Sequence, residues 1–253
     1  MITKNELKYY SGLLKKKFRE KEKKFIAEGE KIVAEGLKSN FTCEKIFAAH
    51  EFYENKKDHL DELFDSINIE ILKNQDFKKI SDTVNSQGIA AVFNIPKNKN
   101  QINSNLIVGL DNISDPGNVG TILRNCDWFG VNEVIVTRKC AEIYNPKTIR
   151  ASMGSIFHIK IFNEADSSLF SDLRGKNYKL LTADIKGKNI YKYKFPERAV
   201  IIFSNEAWGP SPELLEISDN IITIPKYGNA ESLNVAIASA IILSKIKNEE
   251  YQN

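Results

Sequence analysis

Five short apolar runs in the second half of the chain leave few architectures open. Leu106–Leu110, Glu133–Val136, Leu180–Ala183, Val200–Phe203 and Ile221–Ile224 show little of the apolar–polar alternation of a strand with one wet face. They read as strands covered on both sides. A further strand is expected at Phe157–Ile161, and helical stretches at Gly120–Phe129, Pro146–Ser152, Ser168–Arg174, Pro212–Ile217 and Leu233–Lys247 separate the runs. Apolar strands alternating with helices predict an α/β domain: a mostly parallel sheet with helices on both faces.

Ahead of it, shorter elements alternate in the same way. Strands are expected near Phe25–Ala27, Lys45–Ala49, Ile69–Leu72 and Ile89–Phe93, with helices at Glu30–Leu37, around His59–Phe64 and near Phe77. Ile95-Pro96 closes this smaller α/β unit, and the polar stretch Lys97–Asn105 has almost nothing to bury, as in a linker. The expected division is a small N-terminal α/β domain over 1–96, a linker over 97–105 and a larger domain over 106–253. With 253 residues and 42% hydrophobic content the chain has material for two such cores, and it lacks the compositional signature of disorder.

Leu7, Tyr10, Leu14 and Phe18 recur at helical spacing, which predicts one amphipathic helix over 5–19. Around that stripe, nine cations (Lys4, Lys8, Lys15, Lys16, Lys17, Arg19, Lys21, Lys23, Lys24) face three glutamates, Glu6, Glu20 and Glu22. Such a surface either neutralises nucleic-acid phosphates or is a solvated face with Glu–Lys pairing, and spacing alone leaves both open. Cys43, Cys126 and Cys140 fit neither a disulfide framework nor a metal knuckle. His50, His59 and His158 show no ligand spacing, so no metal is expected. No apolar run approaches the roughly 20 residues of a membrane helix, and the polar N-terminus is unlike a signal peptide. A cytoplasmic location without membrane attachment is the expectation.

An open parallel sheet binds ligands beyond the carboxyl ends of its strands. Three strand-to-helix segments qualify. In Leu110–Gly130 a Pro-Gly turn precedes a helix starting near Asn118, with Arg124 six residues on. Asn118 is read either as the helix cap or as a ligand contact, and Arg124 either as an exposed helix arginine or as a residue of the site. Val119, Ile122, Leu123 and Cys126 account for a buried face without Arg124. In Val200–Pro210 a strand runs into Ser204, Asn205, Glu206 and Gly209, small or polar residues that admit close approach and offer an acceptor. Ile224–Ala236 carries Ser232, which suits a helix cap, and Asn234, expected inside an otherwise small and apolar helix and so held by a specific hydrogen bond. No GxGxxG, P-loop or GxSxG pattern occurs, which argues against dinucleotide-binding dehydrogenases, nucleoside triphosphatases and serine hydrolases.

Together the three segments resemble the motifs of the SpoU/TrmH family, a branch of the SPOUT RNA methyltransferases. Asp115-Pro116-Gly117-Asn118-Val119-Gly120 with Arg124 is similar to its Asp-Pro-x-Asn-x-Gly…Arg pattern. Ser204–Gly209 resembles Gly-x-Glu-x-x-Gly, with Ser204 where many members have glycine, and Pro225 with Ser232–Ala236 resembles Pro…Ser-Leu-Asn-Val-Ala. Lys147–Ser155 is also family-like. In the N-terminal half, Phe25–Glu30 and Ser86–Val92 resemble an RNA substrate-binding domain found in many members.

The resemblance implies a trefoil knot at the C-terminal end of the sheet, S-adenosylmethionine bound in the knotted loops, and a homodimer. It implies methylation of an RNA ribose 2′-hydroxyl, with ribosomal RNA favoured over transfer RNA because of the appended N-terminal domain. Carried over by position, cofactor contacts fall at Thr182, Ala183, Ser204, Asn205, Glu206, Gly209, Ile224, Pro225, Ser232 and Leu233. Catalysis and its support fall at Asn118, Arg124, Glu206, Ser232 and Asn234. The family proposal makes the arginine a general base. Guanidinium groups normally keep their charge up to about pH 12, so Arg124 is expected chiefly to clamp phosphate and developing alkoxide, with proton abstraction an open alternative. A non-catalytic RNA-binding protein that kept the fold is the alternative of a different class.

Overall fold

The computed structural model describes residues 2–56, 69–97, 101–205 and 209–252, with side chains through residue 249. Its contacts divide the chain into two units: Met1–Lys97 with Tyr144–Phe157, and Asn98–Ile143 with His158–Asn253.

In the first unit β1 (Lys24–Glu28), β2 (Cys43–Ala49), β3 (Ile69–Leu72) and β4 (Ile89–Asn94) form a sheet in the order β1-β4-β2-β3. β4 is antiparallel to both neighbours, and β2 is parallel to β3. Successive side chains of a strand point to opposite faces, and here both faces are covered. Ile26, Phe47, Leu72 and Val92 cluster with Leu7, Tyr10 and Leu13 from the N-terminal segment. Phe25 stacks on Tyr144 at 4.7 Å and Phe93 meets Phe157 at 5.0 Å. Burial of these rings is what draws Tyr144–Phe157 to the four-stranded sheet. Gly36 of the helix Glu30–Lys38 sits where any Cβ would collide with Phe93 and Phe157.

The helix expected over 5–19 is two helices, Lys4–Gly12 and Lys16–Glu22. Arg19, counted among the nine surface cations, is only 2% exposed and donates from Nη1 to the Leu13 carbonyl at 2.7 Å. Lys24 pairs with Glu44 at 2.5 Å and Lys16 with Glu20 at 3.6 Å. Arg19 is thus a structural residue rather than one of the surface cations, and Lys16 and Lys24 are paired internally, as a solvated face with Glu–Lys pairing expects. The helix expected around His59–Phe64 lies outside the described residues.

In the second unit β5 (Leu106–Asp111), β6 (Glu133–Thr137), β7 (Lys160–Ala165), β8 (Lys179–Asn189), β9 (Ala199–Ser204) and β10 (Asn220–Thr223) form a sheet in the order β10-β8-β9-β5-β6-β7. Every neighbouring pair is parallel. β7 begins later than expected because Ser155–Phe157 forms a 3₁₀ turn. From β5 the chain winds outward through β6 and β7, then crosses to the other side for β8, β9 and β10. In open parallel sheets such a reversal marks where a ligand crevice lies, here the carboxyl ends of β5 and β9. The two strands pair in register from Leu106 with Ala199 to Asp111 with Ser204.

Candidate active site

At the crevice, Asp111 is 3% exposed and accepts hydrogen bonds from Thr137 Oγ1 at 3.2 Å and the Ser211 N–H at 2.8 Å. It ties the ends of β5 and β6 to the start of the helix Pro212–Ile217. The sequence reading assigned Asp111 no role; the available signal is a carboxylate closing an apolar strand, which needs partners once buried. Asn112 follows with φ 56°, a left-handed conformation that asparagine tolerates. Its carbonyl accepts from Asn205 Nδ2 at 3.3 Å, which links the first and second motif segments. The Asn112 Oδ1 is buried and has no hydrogen-bond partner among the described residues, a costly arrangement for a buried acceptor.

The next helix runs Pro116–Trp128, and its cap is Asp115, whose carboxylate accepts from the Asn118 N–H at 3.0 Å. The expected start near Asn118 is therefore corrected: Asn118 lies in the first turn and its side chain is not the cap. The last helix is corrected in the same way. It begins at Val235, and Asn234 caps it, accepting from the N–H groups of Ala236 at 2.9 Å and Ile237 at 3.3 Å. Asn234 is not interior to a helix, and the cap reading of Ser232 falls. Because the cap occupies the Asn234 oxygen, its amide nitrogen faces outward and donates to Asn118 Oδ1 at 3.0 Å. One bond thus joins the first and third motif segments across 116 positions. Asn125 adds a second tie, donating to the Ala236 carbonyl at 2.8 Å and Ser239 Oγ at 2.9 Å. Val119, Ile122, Leu123 and Cys126 are buried, and Arg124 is exposed.

The Asn118–Asn234 bond yields a direct test. A neutral hydrogen bond contributes about 0.5–1.5 kcal/mol net, and loss of a cap costs about 1 kcal/mol. Asn234→Ala is expected to destabilise by the sum, and Asn118→Ala by the first contribution alone. Denaturant melts of the singles and the double variant should show coupling of about 0.5 kcal/mol or more; strict additivity would remove the bond from the account.

Of the remaining candidate residues, Ser204 ends β9 and is buried, whereas Thr182 is fully buried with its Oγ1 hydrogen-bonded to Ser218 Oγ at 2.6 Å. A ligand at this rim would meet the backbone of Thr182 rather than its hydroxyl, beside the half-buried Ala183. Gly209 folds back on Asn205, its N–H donating to the Asn205 carbonyl at 2.9 Å. Its φ of 67° is one that other residues rarely adopt. Glu206 lies outside the described residues. Ile224 and Pro225 follow β10 half-buried, and Ser232 and Leu233 are exposed. The structure gathers Asp111, Asn112, Ser204 and Asn205 at one crevice and bonds Asn118 to Asn234. Among the described residues it places no hydrogen bond between that group and Arg124, Ser232 or Leu233. The same residues contain no group of three or more His, Cys, Asp or Glu arranged to hold a metal.

Residues 105–244 match the sequence profile of the SpoU rRNA Methylase family. The chain belongs to this family. Residues 4–91 match the MRM3-like substrate binding domain. Among relatives of this SpoU-family chain, the 23S rRNA (guanosine(2553)-2′-O)-methyltransferase RlmP of Bacillus subtilis is 32% identical over 243 residues, covering 96% of each protein. The human mitochondrial rRNA methyltransferase 3 is 25% identical, covering 92% of this chain and 69% of its own length. A solved structure assigned to the TrmH family, from Porphyromonas gingivalis, superposes with a TM-score of 0.86 at 30% identity, covering 98% of this chain and 99% of that one. The SpoU methyltransferase AviRb of Streptomyces viridochromogenes, solved in complex with AdoMet, shares the fold with a TM-score of 0.88 at 20% identity, covering 99% of this chain and 100% of that one.

Proposed function

We propose that the chain is an S-adenosylmethionine-dependent RNA ribose-2′-O-methyltransferase acting on ribosomal RNA. The observation that carries this reading is the Asn234–Asn118 hydrogen bond after the carboxyl end of β5, in a chain whose residues 105–244 match the SpoU family. When bound, the cofactor supplies the electrophilic methyl group. The chain supplies position and charge. The backbone at Thr182 and Ala183 and the half-buried Ile224 and Pro225 offer hydrogen-bonding groups and apolar surface to an adenosine. Asn205, Gly209, Ser232 and Leu233 complete the proposed pocket. Ser204 adds a hydroxyl where many members have only glycine.

Arg124 is assigned the clamp. Its planar fork suits the phosphate beside the target ribose and steadies negative charge as the 2′-oxygen loses its proton. Holding that oxygen in line with the methyl group converts a bimolecular encounter into an oriented one. Asn118 and Asn234 are assigned the job of fixing the two helix starts that frame the reacting groups, with Ser232 beside them and Glu206 as a further acceptor. The same reading includes a homodimer, for which exposed Trp128, Ile237 and Leu233, at 83%, 54% and 45%, offer apolar surface. A knotted C-terminal chain path and a cytoplasmic location with the substrate belong to it too.

The test is transfer of a labelled methyl group by the purified protein to unmodified ribosomal or transfer RNA, with the product mapped at ribose. Label on a ribosomal RNA 2′-oxygen is the expected result. Label confined to transfer RNA would change the substrate. Intact RNA binding without calorimetric binding of S-adenosylmethionine would overturn the enzyme in favour of a non-catalytic RNA-binding protein.

A further inference from the structure

The segment Ile185-Lys186-Gly187-Lys188-Asn189-Ile190-Tyr191-Lys192-Tyr193-Lys194 carries four lysines interleaved with two tyrosines and no acid. It continues β8 beyond Thr182 and Ala183, on the rim where the carboxyl ends of β5, β9 and β10 also lie, because all these strands are parallel. Its backbone is held firmly. Gly187 lies against the backbone of Ile221 and Ile222, where a Cβ would come within 2.7 Å of Ile222. Ile190 is fully buried and its N–H donates to the Thr223 carbonyl at 3.0 Å. The Tyr193 hydroxyl accepts from Asn220 Nδ2 at 3.2 Å, and the ring meets Phe195 edge-on at 5.3 Å. Asp184 and Asn189 accept from the N–H groups of Lys186 and Tyr191, each at 2.9 Å, and shape the two turns.

On this anchored base the outward groups are exposed. Ile185 is 65% and Tyr191 55% exposed, and Lys186, Lys192 and Lys194 are exposed without an ion pair among the described residues. Lys188 is engaged with Asn220.

We propose that residues 185–194 form an RNA-binding strap, with Lys186, Lys192 and Lys194 on backbone phosphates and the Tyr191 ring stacked on an unpaired base next to the target ribose. Unpaired lysines on an ordered backbone, with an exposed aromatic ring between them, are the elements that bind single-stranded nucleic acid: charge tracks the phosphates, and a ring accepts any base. The rim position puts such a strand beside the crevice of β5 and β9. This inference rests on the RNA-methyltransferase reading given above.

The experiment measures binding of a single-stranded ribosomal RNA fragment to the full-length protein over a range of salt. Neutralising three phosphate contacts in Lys186→Ala/Lys192→Ala/Lys194→Ala is expected to reduce the slope of log Kd against log salt by about 2, at about 0.7 per contact. Tyr191→Ala is expected to weaken binding about fivefold or more, and Tyr191→Phe to restore it, because the ring and not the hydroxyl stacks. Melting temperature and S-adenosylmethionine affinity serve as controls and should not move. A wild-type protein that methylates ribosomal RNA, alongside a triple variant with an unchanged salt slope, would overturn the strap and leave the function standing. A wild-type protein that binds no RNA at any salt would overturn both.

Discussion

Arg124→Ala is expected to slow single-turnover methylation of bound ribosomal RNA by about 10²–10³-fold, the usual cost of removing one group that stabilises a developing oxyanion. Arg124 is exposed on the helix Pro116–Trp128, whose buried face is built by Val119, Ile122, Leu123 and Cys126. Its loss should therefore leave stability within about 0.5 kcal/mol. Arg124→Lys keeps a positive charge but loses the two-donor fork, and its rate should fall between the two. Single-turnover conditions with enzyme in excess isolate the transfer step from product release. A near-normal rate in either variant would show that Arg124 is not central, and the clamp would have to be sought elsewhere on the rim.

The second large effect concerns stability. Glu133 opens β6 and is 4% exposed, yet its carboxylate accepts from the N–H groups of Asn103 at 3.0 Å and Ser104 at 2.8 Å and pairs with Lys160 at 3.0 Å. Lys160, at the start of β7, also donates to the Gln101 carbonyl. One buried carboxylate thus pins residues 101–104, just before β5, to the starts of β6 and β7. Burial pushes its pKa up, but the Ser104 N–H, the Lys160 ammonium and the Asn103 N–H outweigh burial and hold it below the ordinary carboxyl range.

The sign follows from linkage. A pKa lowered on folding contributes stability that is fully present above the unfolded carboxyl value of 4.5 and is lost as pH falls through the lower folded value. Glu133→Ala leaves the partly exposed Lys160 ammonium and two N–H groups without their acceptor and is expected to cost about 1–3 kcal/mol, the range for hydrogen-bonding groups left unmet. That corresponds to a melting temperature lower by roughly 2–12 °C for a chain of this size. Scanning calorimetry at neutral and acidic pH would check it, since the gap between wild type and variant should narrow on the acid side. A gap below about 0.5 kcal/mol at neutral pH would mean that the Glu133 carboxylate contributes nothing to holding these segments together.

Local patterns that carry their own physics were legible in the chain. The apolar runs announced the strands of the larger sheet because a strand covered on both faces cannot afford alternation. Ile69–Leu72, Pro146–Ser152 and Pro212–Ile217 came out at their observed bounds. Three motif segments stood in recognisable order, and the family follows from the match over 105–244. Helix starts were less legible. Aspartate, asparagine and serine all cap well, so Asp115 could not be separated from Asn118, nor Asn234 from Ser232, until backbone geometry chose between them.

What only the tertiary structure decided is adjacency. Periodicity reports which face of an element is buried but not which element covers it. The neighbouring of β5 and β9, and with it the crevice, depends on pairing between residues more than 90 positions apart. Capture of Tyr144–Phe157 by the four-stranded sheet and the single bond from Asn234 to Asn118 are likewise non-local. The sequence by itself determined the elements, their apolar faces and the family; packing among distant residues decided where those faces meet, and the candidate active site lies at one such meeting.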